Sequence, residues 1–220
     1  EPELPEVEQW DQKETLAKER EVLGFYLSSH PLHKYEIENK SFANVNLGHT
    51  EKFESEAMVR AVGVITEVRT KITKSNKQMA FFKLDDLTGS CECIMFPNVY
   101  EECREFIQEE STILVKGKTE SSGDSIKLHI DEAMPLSEAK TSLTKNLVLY
   151  LDDEKHTEET IDILKKMFEV HTGNTPVYVS VKENGGERRF YLNDYKVKLD
   201  NGFSDELIKV MGSEYVKFAV

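Results

Sequence analysis

Four cations, Arg69, Lys71, Lys74 and Lys77, fall in a stretch that contains no acid, and they lead into Phe81, Phe82 and Lys83. A turn at Asp86-Leu87-Thr88-Gly89 then connects to a second apolar run, Cys91 to Phe96. Ammonium and guanidinium groups attract phosphates, and exposed aromatic faces stack on bases. Together they suit single-stranded nucleic acid, where each stacked base contributes roughly 1–3 kcal/mol. If Leu84 faces inward, strand alternation puts Ala80 and Phe82 inside with it, and Phe81 and Lys83 outside. In the partner strand Cys91, Cys93 and Met95 then face in, while Glu92, Ile94 and Phe96 face out. The expected site is a basic loop carrying Arg69, Lys71, Lys74 and Lys77, beside an outer face carrying Phe81, Lys83 and Phe96. A bulge near Gly63 or Met79 would exchange the two faces. The competing readings are a solvated loop that aids solubility and two rings packed on neighbouring domains.

Other constellations carry no chemistry. Gly117-Lys118-Thr119 resembles the end of a phosphate-binding loop, but that motif needs a glycine where Thr112 stands. Cys91 and Cys93 share a strand face with only Cys103 to join them, so buried small apolar side chains are expected and no metal site. Adjacent aspartates, Asp85-Asp86 and Asp152-Asp153, point opposite ways on a strand and cannot clamp one ion pair; they read as turn residues. The six histidines have no ligand or nucleophile spacing. We expect no catalytic residue, cofactor or small-molecule substrate in this chain.

The formal charge of -13 argues against indiscriminate nucleic-acid binding. Lys and Arg number 6 against 13 acids in residues 1–56, 10 against 13 in 57–134 and 12 against 15 in 135–220. Any contact with nucleic acid must therefore be local. The sequence has no long apolar run, its N-terminus is acidic and its cysteine count is odd, so a soluble cytoplasmic protein without a membrane span is expected.

The elements that would position the site follow from periodicity. From Lys13 to Ser28 the pattern is helical, with Leu16, Leu23 and Leu27 on one face, and His30-Pro31 ends it. A short second helix is expected around Leu32 to Glu38. Neither could build a core alone, so residues 1–56 form a helical segment that must pack on something else. Residues 57–134 read as three strands, a helix over Asn98 to Gln108, then two strands, with a bend at Gly63 in the first strand, Val59 to Val68. That order is the five-stranded β-barrel known as the OB-fold. Residues 135–144 read as a linker, and 135–220 as a small α+β domain of order β-α-β-β-α-β, for which a ferredoxin-like arrangement is one reading. The fold class is thus mixed: a helical segment, an OB-fold barrel and an α+β domain.

The run Glu21-Val22-Leu23-Gly24-Phe25-Tyr26-Leu27-Ser28-Ser29-His30-Pro31-Leu32, followed by Met79-Ala80-Phe81-Phe82-Lys83-Leu84-Asp85-Asp86-Leu87-Thr88-Gly89, resembles the C-terminal part of the bacterial DNA polymerase III alpha subunit. Thr175-Pro176-Val177-Tyr178-Val179 and the ending Leu207-Ile208, Met211-Gly212-Ser213-Glu214, Val216 and Phe218 are similar to its last domain. The resemblance implies a piece of a DNA-directed DNA polymerase. The catalytic aspartates, phosphoesterase-like domain and clamp-binding peptide would lie upstream. Residues 1–40 would then be the end of the fingers and helix-hairpin-helix region. The implied roles are single-stranded template binding by the OB-fold and docking of the clamp-loader tau subunit by the last domain, with the upstream polymerase domains as further partners. Two alternatives remain open: a module that only binds protein, its barrel packed on the polymerase body, and an RNA-binding OB module of the synthetase type.

Overall fold

The computed structural model describes residues 18, 19, 22, 30–122, 125–152, 154–183 and 186–220. The helix expected from Lys13 to Ser28 lies outside these residues except at positions 18, 19 and 22, which are helical. The first complete elements are a 3-10 turn, Pro31–Tyr35, and helix α1, Glu36–Phe42.

Five strands close a barrel: β1 (Met58–Ile72), β2 (Gln78–Asp85), β3 (Ser90–Met95), β4 (Thr112–Ser122) and β5 (Ser125–Pro135). They run in the spatial order β1-β2-β3-β5-β4, and β3 pairs with β5 in parallel. Ala80, Phe82, Leu84, Cys91, Cys93 and Met95 all fill the interior, which is the facing that alternation dictates. The bulge falls between Ile65 and Glu67, not at Gly63. Gly63 lies in the ladder opposite Ile113, and the position requires glycine because a Cβ there would lie 2.5 Å from Leu84 Cγ. Gly117 is a mid-strand residue of β4, and a Cβ on it would meet the His129 carbonyl oxygen at 2.1 Å. Close strand approach explains this glycine. Helix α2, Pro97–Cys103, starts one residue earlier and stops sooner than its pattern implied, because Pro97 takes the first helical position and Phe96, not Asn98, is the N-cap.

The turn Asp86-Leu87-Thr88-Gly89 is organised by one buried carboxylate. Asp86 Oδ1 accepts from Thr88 N (2.7 Å), Thr88 Oγ1 (2.6 Å) and Gly89 N (2.9 Å), while Oδ2 accepts from Leu47 N at 2.7 Å. Gly48 N donates to Thr88 Oγ1 at 2.9 Å. The turn is thereby fixed to the segment that enters the barrel.

Residues read as a linker form helix α3 instead, Leu136–Leu143, with Leu136, Ala139 and Lys140 buried. Beyond it lie β6 (Asn146–Leu151), α4 (Glu158–Val170), β7 (Thr172–Glu183), β8 (Gly186–Val197), α5 (Asn201–Met211) and β9 (Val216–Ala219). The chain order is β-α-β-β-α-β as expected, but the sheet order is β8-β7-β6-β9, with β6 and β7 adjacent and parallel. A ferredoxin-like fold would split that β-α-β unit with another strand. The present sheet does not. Leu32, Ile37 and Phe42, all fully buried, join Phe203, Leu207 and Phe218 in one core, and the Phe42 and Phe218 rings stack at 6.2 Å. The short stretch that carries Leu32, Ile37 and Phe42 therefore completes the core of the last domain. Val62, Val64 and Leu114 of the barrel wall share that core.

Candidate nucleic-acid interface

β1 is longer than its apolar pattern, because the strand continues through the basic residues. Arg69 and Lys71 are ladder residues opposite Phe81 and Met79, not loop residues. The loop proper is Thr73 to Lys77, closed by Thr73 N donating to Lys77 O at 2.8 Å, with Asn76 at φ 58°. Asparagine tolerates that left-handed conformation better than most residues. Only Lys74 and Lys77 of the four cations sit there, both exposed.

Strand pairing sorts the outer face into transverse rows. One row runs Arg69, Phe81, Ile94, His129, Lys118, from β1 through β2, β3 and β5 to β4. It holds no acid. The neighbouring row runs Glu67, Lys83, Glu92, Lys127, Glu120 and alternates in sign. The two rows are two residues apart along each strand, about 7 Å. Between them opens a groove of about 490 Å³ lined by Glu67, Arg69, Lys71, Phe81, Lys83 and Lys127 among others. Lys71 Nζ stands 5.3 Å from the Phe81 ring centre, a cation–π contact. Arg69 pairs with Glu67 at 3.1 Å and Lys127 with Glu92 at 2.7 Å. The hydrogen bond from Lys127 holds the Glu92 carboxyl below its ordinary range and, in return, raises the Lys127 ammonium.

The expected residues are thus brought together only in part. Arg69, Lys71, Phe81 and Lys83 share the groove. Phe96 does not line it; it caps α2, is 48% exposed, and sets its ring edge-on to His129 at 5.4 Å. Lys127 and His129 were not anticipated. Their alternation with Leu128 and Ile130 is visible in the sequence, but their place beside β3 follows from a non-local parallel pairing. Glu92 was expected on the outer face, but its pairing with Lys127 was hidden by sequence distance, whereas Glu67 stands only two residues from the Arg69 it neutralises.

Residues 59–136 match the tRNA anti-codon family, described as an OB-fold nucleic acid binding domain. The DNA polymerase III subunit alpha of Aquifex aeolicus is 36% identical over 92% of this chain and 18% of its own length. That of Halalkalibacterium halodurans is 31% identical over 98% of this chain and 19% of its own. This chain is homologous to a C-terminal region of the DNA polymerase III alpha subunit. It spans about a fifth of the length of those alpha subunits. A replication protein A heterotrimer bound to single-stranded DNA aligns at 17% identity over 36% of this chain and 56% of that one, with a TM-score of 0.29.

The thiols of this alpha-subunit homologue are inert by burial. Burial pushes Cys91 up to about 11 and Cys93 well above the ordinary thiol value, and it raises Cys103 as well. Because the thiolate is the reactive form, Ellman's reagent at pH 8 should leave all three unmodified in the native protein and label them after denaturation. Rapid native labelling would contradict this packing. Among the described residues no helix is long and apolar enough to cross a membrane.

Proposed function

We propose that the chain is a non-catalytic, cytoplasmic C-terminal module of a DNA polymerase III alpha subunit. Its barrel binds single-stranded template DNA, and its last domain docks the clamp-loader tau subunit. On this reading the upstream polymerase domains of the same polypeptide are further partners, and residues 1–56, 57–134 and 135–220 divide the labour. Arg69, Lys71, Lys74, Lys77 and Lys83 draw in the phosphates, and bases stack on Phe81 and on Phe96.

The observation that carries the reading is the groove in which Arg69, Lys71, Lys83 and Lys127 surround the half-buried Phe81. A second reading, a barrel that packs on the polymerase body without touching nucleic acid, draws support from the acids Glu67 and Glu92 in the same groove.

A titration with fluorescent oligo-dT at several salt concentrations separates the two. The quadruple variant Arg69→Ala, Lys71→Ala, Lys74→Ala, Lys77→Ala should bind about tenfold or more weakly at low salt. Its log–log salt slope should be shallower by about 0.7 for each phosphate that is no longer neutralised. Equal, salt-insensitive affinities would favour the protein-only module, and preference for a structured RNA loop would favour the synthetase-type reading. A pull-down of the whole chain with the tau subunit tests the docking half, which fails if no complex forms.

A further inference from the structure

The acid-free row and the sign-alternating row lie side by side, and the cations of the groove are not equally available. Glu67 holds Arg69 at 3.1 Å, and Glu92 holds Lys127 at 2.7 Å across β3 and β5. Both carboxylates are about half exposed or more, so solvent and a ligand can reach them where they pair. Each carboxylate occupies the contact on its cation that a phosphate oxygen would have to take if that cation gripped a nucleic-acid backbone. We infer that Glu92, and in the same way Glu67, is an internal stand-in for phosphate that a bound strand displaces, so that Lys127 and Arg69 exchange a carboxylate for a phosphate partner. This rests on the single-strand reading of the groove and adds Lys127 to its cations.

The exchange has a physical consequence. An exposed ion pair is worth no more than about fivefold in an equilibrium, so displacement is easy. The displaced carboxylate stays in the groove, however, and at about 6 Å in water repels a phosphate by about threefold. The device limits affinity and keeps the cations from capturing stray anions.

The test is a double-mutant cycle on the 220-residue chain, read by fluorescence anisotropy with oligo-dT. E92Q should tighten binding about tenfold where Lys127 is present, through removal of both the competing pair and the repulsion. In a K127A background the same substitution should gain only about threefold, since repulsion alone is removed. E132Q is the control. Glu132 pairs with Lys116 at 2.7 Å and does not line this groove, so its removal should leave affinity unchanged. Equal gains from E92Q in both backgrounds would make Glu92 a background charge and overturn the exchange, as would an E132Q gain of the same size. If the wild-type chain binds no oligo-dT at all, the nucleic-acid reading itself falls and the exchange falls with it.

Discussion

Asp86→Ala should lower stability by about 3–5 kcal/mol, because it removes the one acceptor that serves four donors at the β2–β3 turn. The buried Leu47 hydrogen bond to a charged acceptor contributes about 1.5–3 kcal/mol and its amide left unpaired costs about a further 1–3 kcal/mol, while water can replace the acceptor for the three part-buried donors of the turn. The Leu47 amide is the critical one, since that bond is buried and spans 39 residues of sequence. Its neighbourhood cannot rearrange to compensate. A Cβ on Gly48 would lie 2.1 Å from the Thr88 carbonyl oxygen, and one on Gly89 would lie 2.6 Å from Gly48 Cα, so the two backbones are already in contact. For a chain of this size the loss corresponds to a fall in melting temperature of roughly 10 °C. Asp86→Asn keeps one acceptor oxygen but turns an amide toward a donor, and should fall between the two. Differential scanning calorimetry checks the ordering. If Asp86→Ala melted within about 2 °C of wild type, the account of this turn would be wrong.

Lys140→Met should cost about 3–5 kcal/mol near neutral pH, and more at pH 8 than at pH 5. Lys140 and Glu38 are each 2% exposed, with Nζ 3.2 Å from Oε1, and Lys140 also donates to Ser204 Oγ at 3.1 Å. Among the described residues Glu38 Oε2 has no hydrogen-bond partner. The pair joins α1, α3 and α5, so it fixes the N-terminal helical segment against the last domain. Burial raises the Glu38 carboxyl above its ordinary 4.5, and the Lys140 charge opposes that rise. The folded protein therefore binds more protons than the unfolded chain between 4.5 and the raised value, and this group's contribution to stability falls as pH rises through that interval. Removing Lys140 takes away the opposing charge, pushes Glu38 further up and widens the interval. The deficit of the variant must then grow with pH. Urea denaturation at pH 5 and pH 8 measures it, and equal deficits at the two would contradict the buried-charge argument. The double variant Glu38→Leu, Lys140→Met removes both charges and should recover most of the loss or exceed wild type, by up to about 4 kcal/mol.

The barrel and the interior of its second and third strands were legible from residue order alone. A strand has a period of two, and Ala80, Phe82, Leu84, Cys91, Cys93 and Met95 obey it without interruption. The turn was legible too, because aspartate and glycine in Asp86-Leu87-Thr88-Gly89 have local backbone preferences. The motif resemblance reached the homology for the same reason: it reads contiguous residues. The candidate site was only half legible. Its cations and Phe81 are close in sequence, but the extent of β1 was not, since an extended strand can carry Arg69 and Lys71 as readily as a loop.

What lay beyond the sequence was everything set by pairing between distant segments. The parallel contact of β3 with β5 puts Lys127 beside Glu92 and His129 near Phe96, and no local pattern encodes it. The same holds for the ion pair of Glu38 and Lys140, two residues whose type predicts exposure and whose burial arises only when three helices meet. Local stereochemistry fixed the faces of the strands and the chemistry of the turns. The closing of the barrel and the docking of the N-terminal segment decided which charges became neighbours, because electrostatics depends on distance in space and the chain's order does not specify it.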